Sequence, residues 1–214
     1  MRVLELFCGV NKSVGNVAQA LGMEVTSVDI NPKACPDLCM DILDFDEIVY
    51  PQDYFQFIWA SPPCESYSTA RTNAKVERAE AMRNADRLVA KTRQIIVHFG
   101  CQWAIENPLH SKIWTREVSC GLKESSCITS YCSFEMRYRK DTRIASSFGL
   151  KLPRCPGAGL CPSMVGSMHL EHAQRGGGGV SGRNHTVDEL HSIPSGLIKE
   201  IFRQLSLTWP ESTM

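Results

Sequence analysis

The residues best suited to chemistry in this chain are a cysteine and a glutamate, each at the end of a short apolar run. Phe57-Ile58-Trp59 reads as a buried strand and leads directly into Ala60-Ser61-Pro62-Pro63-Cys64. Proline has no N–H to give to a sheet ladder, so the strand must stop there and Cys64 is presented on a stiff turn. Trp103-Ala104-Ile105 reads as a second strand, ending in Glu106-Asn107-Pro108. A thiol and a carboxyl braced in this way suit covalent catalysis on a ring that must be protonated as the nucleophile adds. Taken singly, Cys64 also reads as a buried structural thiol and Glu106 as a solvated strand end; the pairing favours catalysis.

The elements that must position this pair follow from hydrophobic periodicity. Residues 2–7 read as a first strand, followed by the loop Cys8-Gly9-Val10-Asn11-Lys12. Val14, Val17, Ala18 and Leu21 then fall at helical spacing, with Gly22 as the stop. Glu24 to Ile30 reads as a second strand broken by Asn31-Pro32, and Asp41-Ile42 closes a further short unit. A long helix is predicted over roughly 75–99, with Met82, Ala85, Leu88, Val89, Thr92, Ile95, Ile96 and Phe99 on one face. Ile128–Phe134 and Thr142–Phe148 read as strands, forming either a hairpin or an adjacent pair. A last helix is predicted from Pro194, with Leu197, Ile198, Ile201, Phe202 and Leu205 as its stripe. Strand and helix alternate through residue 106, which predicts an α/β fold: a mostly parallel sheet with helices on both faces.

Phe7-Cys8-Gly9 sits between a strand and a helix, where a nucleotide-like cofactor can approach backbone amides. Asp29 ends the second strand about 20 residues on, where an acid would bind a ribose hydroxyl pair. Only Gly9 and Gly15 stand where G-x-G-x-x-G would need three glycines, so another adenosine-bearing cofactor is favoured over a dinucleotide. A tight turn with a solvated Asp is the plainer reading. Asp29 and Asp41 at successive strand ends weigh against it.

Hydrophobic residues make up 43% and charged residues 21% of the 214, ordinary for a soluble globular chain. Lys+Arg and Asp+Glu are both 23, so any nucleic-acid surface must come from local clustering. The densest basic cluster is Arg137, Arg139, Lys140 and Arg143, read either as phosphate and base contact or as a solvated strand face. Arg71, Lys75 and Arg78 lie in a polar stretch after Cys64 that either closes over substrate or is a solvated helix start. No membrane span or signal peptide is legible, which predicts an intracellular protein. Ten cysteines in a reducing compartment then read as thiols or metal ligands. Cys155, Cys161 and His169 fall in a Gly/Pro-rich segment at 150–184, with His172 close by and Cys132 upstream. Either these form a Cys3His zinc site or they are unrelated thiols and surface histidines. His98 and His110 read as structural or solvent-facing.

Read together, these pieces resemble the cytosine carbon-5 methyltransferases, most closely the short enzymes of phages and large DNA viruses. Glu5-Leu6-Phe7-Cys8-Gly9 resembles the family's first cofactor loop. Asp29-Ile30 resembles its ribose and adenine contact, and Asp41-Ile42 its adenine-edge contact. Pro62-Pro63-Cys64 resembles the nucleophile motif, and Glu106-Asn107 the acid motif, with Pro108 where valine is commonest. Arg139-Lys140-Asp141-Thr142-Arg143-Ile144 resembles the basic strand that supports the target base, and Ile193-Pro194 with the final helix the C-terminal element. The match covers roughly 2–148 and 185–205. It departs in Val10-Asn11-Lys12-Ser13, which lacks the second glycine, and in Leu190-His191-Ser192, which replaces a glycine-asparagine signature.

The resemblance implies one Rossmann-like class I methyltransferase domain over 1–214. S-adenosylmethionine would be held by Phe7, Gly9, Asp29, Ile30, Asp41, Ile42 and Pro62. It implies Cys64, Glu106, Arg139 and Arg143 as catalytic residues, and DNA as substrate, with RNA or a free pyrimidine nucleotide as alternatives. A non-catalytic nucleic-acid-binding module of the same fold is the reading from another class. Where the family usually houses a target-recognition domain, this chain has only the insert at 150–184. A zinc ion on Cys132, Cys155, Cys161 and His169 would be structural, because thiol addition needs no metal.

Overall fold

The computed structural model describes residues 1–67, 75–174 and 176–208. Arg71, and the side chains of Lys75 and Arg78, lie outside the described residues. Eight strands carry the architecture: β1 (Arg2–Leu6), β2 (Glu24–Asp29), β3 (Leu38–Cys39), β4 (Phe57–Ala60), β5 (Gln102–Pro108), β6 (Ser126–Ser130), β7 (Tyr138–Arg139) and β8 (Asp141–Ser146). All but β7 join one sheet in the order β3-β2-β1-β4-β5-β8-β6. The first five run parallel, and β8 is inserted antiparallel between β5 and β6. The helices are α1 (Ser13–Ala20), α2 (Lys75–Phe99), α3 (Val187–His191) and α4 (Ser195–Ser206). Three two-residue strands complete the set: β9 (Met164–Val165) pairs with β10 (Met168–His169), and β11 (Glu171–His172) pairs with β7. Among the described residues, no helix is long and apolar enough to cross a membrane.

The alternation of side chains along each strand divides the core in two. Val3, Phe57, Trp59, Ala104 and Ile144 pack with Val14, Val17 and Ala18 of α1 and the whole stripe of α4. Leu4, Leu6, Ile58, Ala60, Ile105 and Ala145 pack on the opposite face with Val89, Ile95, Ile96 and Phe99 of α2. The five buried side chains of the α4 stripe contribute roughly 1.5–3 kcal/mol each, which seats a short helix against the sheet. The strand expected to run to Phe134 stops at Ser130. Its partner β8 begins at Asp141, opposite Ser130, so the chain beyond has no ladder and turns into a 3-10 helix at Tyr131–Phe134.

Strand order reverses between β1 and β4. In an open parallel sheet this is where the loops after adjacent strands diverge and leave a crevice at their carboxyl ends.

Candidate active site

That crevice is a cavity of about 480 Å³, lined by Phe7, Gly9, Asp29, Pro62, Cys64 and Glu106 among others. Asp29 organises its cofactor end. One carboxylate oxygen accepts the Gly9 N–H and the other the Asn31 N–H, both at 2.8 Å. Gly9 takes φ +60° with open space where a Cβ would point, so the loop keeps its backbone bare toward the cavity. Phe7 also takes a left-handed φ of 59°, a strained state for a bulky residue, at the turn out of β1. Lys12, in the stretch that lacks the family's second glycine, likewise sits left-handed at φ 42°, and its ammonium donates to the Cys35 carbonyl.

Glu5 accepts the Val14 and Gly15 N–H groups at 3.1 and 3.0 Å. Burial pushes this carboxyl up to about 7 against the pull of those two donors. A Cβ on Gly15 would lie 2.5 Å from Glu5 Oε2, so any larger residue there would push the Glu5 carboxyl off its present position. Two of the free amide donors at the start of α1 are therefore taken by Glu5. Glu5, Asp29, Glu65, Glu106 and Asp188 all line the cavity, against Lys140 and His191. Such a lining suits a cationic, phosphate-free adenosine cofactor better than a dinucleotide.

Of the other residues expected at the cofactor, Ile30 stands 68% exposed outside the cavity lining. Asp41 caps a 3-10 turn by accepting the Leu43 N–H at 2.9 Å, and Ile42 is buried in the core on the α2 side. The structure does not bring these three to the cavity.

At the other end, Asn107 Nδ2 donates to the Pro62 carbonyl at 2.7 Å, tying the acid loop to the nucleophile loop. The turn after Cys64 is fixed by Tyr67, fully buried, whose N–H donates to the Cys64 carbonyl at 3.0 Å. Its hydroxyl donates to Asp86 on α2 at 2.9 Å, and Arg116 grips the same carboxylate. Thr142 Oγ1 lies against Glu106 Oε1 and 2.9 Å from the Asn107 carbonyl. Glu106 is thus held by one oxygen, and Oε2 has no partner among the described residues. Burial, then the nearby Glu106, hold the Cys64 thiol above its ordinary value, partly countered by Lys140. Cys8, the second thiol in the lining, is pushed up to about 12 by burial and the Glu5 and Asp29 carboxylates.

Arg139 and Arg143 are not brought to the cavity. Arg139 forks onto Asp141. Arg143 donates to Ser126 Oγ at 2.7 Å and lies over the Trp114 ring on the α2 side of the sheet. The cause is the two-residue period of the strand. Ile144 and Thr142 face the α1/α4 side with Glu106, and two residues earlier so does Lys140, which lines the cavity. Lys140 donates to the Leu190 carbonyl at 2.7 Å, with its ammonium 4.9 Å from the Tyr131 ring centroid. Thr142 and Tyr67 were not singled out by sequence reasoning, nor was Lys140 picked from its basic cluster. Counting back by twos from the core-facing Ile144 is the signal that finds Lys140 and Thr142.

Away from the cavity, Cys132, Cys155, Cys161 and His169 converge, with their ligand atoms all within 4.8 Å of one another. His172 is not part of this cluster; it belongs to β11, paired with β7.

No protein-family model matches the chain. Over 94% of its length it is 26% identical to a protein of Frog virus 3 (isolate Goorha) described as a probable DNA (cytosine-5)-methyltransferase, of which it covers 98%. Among solved structures, the Entamoeba histolytica methyltransferase EhMeth matches with a TM-score of 0.52 at 15% identity, over 72% of this chain and 56% of that one. The S. pombe Dnmt2 methyltransferase matches at 0.46 and 18% identity, over 71% and 52%. The chain thus spans just over half the length of these solved chains, and the EhMeth likeness bears on the fold alone. In the order of its motifs and over nearly its whole length, the chain is similar to a viral protein described as a probable DNA (cytosine-5)-methyltransferase, and its sheet has the α/β topology of a Rossmann-like methyltransferase.

Proposed function

We propose that the chain transfers a methyl group from S-adenosylmethionine to carbon 5 of cytosine in DNA, through a covalent adduct on Cys64. The observation that carries this reading is the convergence of Cys64 and Glu106 with the Asp29–Gly9 loop on one cavity. Asp29, whose oxygens each keep a second lone pair, would take the ribose hydroxyls, and the acidic lining would favour the sulfonium. The cofactor, when bound, supplies an electrophilic methyl group.

The chain's own residues do the rest. Carbon 5 of cytosine is a poor nucleophile. Addition of Cys64 Sγ to carbon 6 makes it an enamine carbon that can attack the methyl group. Charge that builds on the ring is relieved by a proton from Glu106 at ring nitrogen 3. A water-relayed base then takes the carbon-5 proton, the carbon–sulfur electron pair leaves with Cys64 as thiolate, and the proton on ring nitrogen 3 returns to Glu106. The cavity is recessed at the strand ends, so a cytosine in a duplex must leave the stack to reach Cys64, at a cost of a few kcal/mol. The part of the reading that names DNA leans on the description of the viral relative. The same reading treats residues 1–214 as one catalytic unit in which 150–184 stands in for a target-recognition domain.

The test is to offer labelled S-adenosylmethionine with separate DNA, RNA and nucleotide pools, and to challenge the protein with DNA containing 5-fluorocytosine. Label on carbon 5 of DNA cytosine and a stable adduct on Cys64 are expected. Label in RNA or nucleotide alone would overturn the DNA assignment, and an adduct on a different cysteine would overturn the mechanism.

A further inference from the structure

The insert at 150–184 poses a stability problem. Among its described residues from 151 onward, the buried ones are Cys161, Ser163 and Glu171. It therefore has no apolar core of its own, and Leu160, Val165 and Met168 are more than half exposed. Polar contacts dock it on the sheet edge. Thr129 Oγ1 donates to the Pro153 carbonyl at 2.6 Å, the Cys155 N–H donates to Ser130 Oγ at 3.0 Å, and Ser163 Oγ donates to the Met136 carbonyl at 2.8 Å. Hydrogen bonds of this kind contribute about 1 kcal/mol each, too little to order a Gly/Pro-rich stretch.

We propose that Cys132, Cys155, Cys161 and His169 bind one structural zinc ion that replaces the missing core of this segment. Around a tetrahedral zinc with Zn–S near 2.3 Å and Zn–N near 2.0–2.1 Å, ligand atoms stand about 3.5–3.8 Å apart. His169 Nε2 lies 3.5 Å from Cys155 Sγ and 3.8 Å from Cys161 Sγ. All three cysteines are free thiols. Three sulfurs and one nitrogen fill the coordination shell, which makes the site structural and leaves no position for an activated water. The ligands come from two parts of the chain. Cys132 sits in the 3-10 turn after β6, beside Tyr131 under Lys140, and the other three lie in the insert. Zinc therefore staples the insert to the base of β7 and β8, the strand that delivers Thr142 to Glu106.

The decisive measurement is elemental analysis of untagged full-length protein purified without chelator. One zinc per chain is expected. Cys161→Ser and His169→Ala should lose it, whereas Cys120→Ser, an exposed thiol elsewhere, should keep it. Cobalt substitution of the wild-type chain should give the intense visible absorption of a tetrahedral thiolate site. Chelation should open 150–184 to limited proteolysis. A metal-free protein whose insert resists protease, or zinc retained in full by both ligand variants, would overturn the assignment. If the variants aggregate, the wild-type cobalt spectrum still decides: no uptake, or the pale absorption of an octahedral site, would equally overturn it.

Discussion

Thr142→Val should separate the holding of Glu106 from its mere presence. The Thr142 side chain is fully buried, and valine keeps its shape while removing one hydroxyl. That hydroxyl touches both Glu106 Oε1 and the Asn107 carbonyl, between which its single proton is shared, so its loss frees the carboxyl to rotate and leaves one buried acceptor short of a donor. A hydrogen bond to a charged or developing-charge group is worth about 1.5–3 kcal/mol. If the loss falls on the transition state, kcat drops by about 10- to 150-fold. Leaving that acceptor unpaired also costs roughly 1–3 kcal/mol of stability, a fall of several degrees in Tm. The two effects are told apart by kcat at saturating nucleic acid and cofactor, measured well below the variant's melting temperature. Thr142→Ser, which keeps the hydroxyl, should recover most of the rate while packing less well. A valine variant that melts lower yet keeps wild-type kcat would refute the idea that Thr142 aims the acid, and so would a serine variant as slow as the valine one.

The remaining predictions concern the thiol and the cofactor end. Burial and the Glu106 carboxylate raise the Cys64 thiol while Lys140 lowers it, so Glu106→Gln should shift the pH profile of Cys64 alkylation to lower pH and Lys140→Met should shift it to higher pH; iodoacetamide labelling followed by mass mapping checks both, and shifts of the opposite sign would show that these charges do not govern the thiol. Asp29→Asn should weaken binding of S-adenosylhomocysteine by about 10- to 150-fold, the loss of one charge-assisted hydrogen bond, as read by calorimetry. Unchanged affinity would mean that the adenosine is held elsewhere.

Much of the fold was legible because its signals are local. The proline stop after β4, the long stripe of α2 and the closely spaced apolar residues of α4 each belong to one segment, and each forms the element that periodicity predicts. The placement of Cys64 and Glu106 was legible for the same reason: each lies at the end of a strand that its own sequence terminates. The basic strand was harder. Its composition says that positive charge is present, but which residues face the cavity depends on the parity of β8 against β5, a fact of register. Arg139 and Arg143 carry the more conspicuous charges and fall on the wrong parity, where Asp141, Ser126 and Trp114 occupy them. Tyr67 was illegible because its partners Asp86 and Arg116 lie far along the chain. The Cys3His cluster was visible as composition alone, and its closure depends on a turn after β6 that forms only because β8 starts where it does.

The layout of the site also says why its two ends should respond separately to mutation. The cofactor end is built by the loops after β1 and β2, with Gly9 bonded to Asp29 and Glu5 bonded to the start of α1. The substrate end is built by β4, β5 and β8, where Cys64, Glu106 and Thr142 are held by the Asn107–Pro62 and Tyr67–Asp86–Arg116 contacts. The backbone of β1 and β4 is the main link between them: four register pairs in the sheet, plus the Ser61 N–H on the Leu6 carbonyl at 3.3 Å. Side-chain changes confined to one end leave that backbone ladder intact. Substitutions at Cys64, Glu106 or Thr142 should therefore depress turnover with little effect on S-adenosylhomocysteine affinity, and Asp29 the reverse. A double variant of Asp29 and Thr142 should lose binding and turnover additively, since no partner is shared between them.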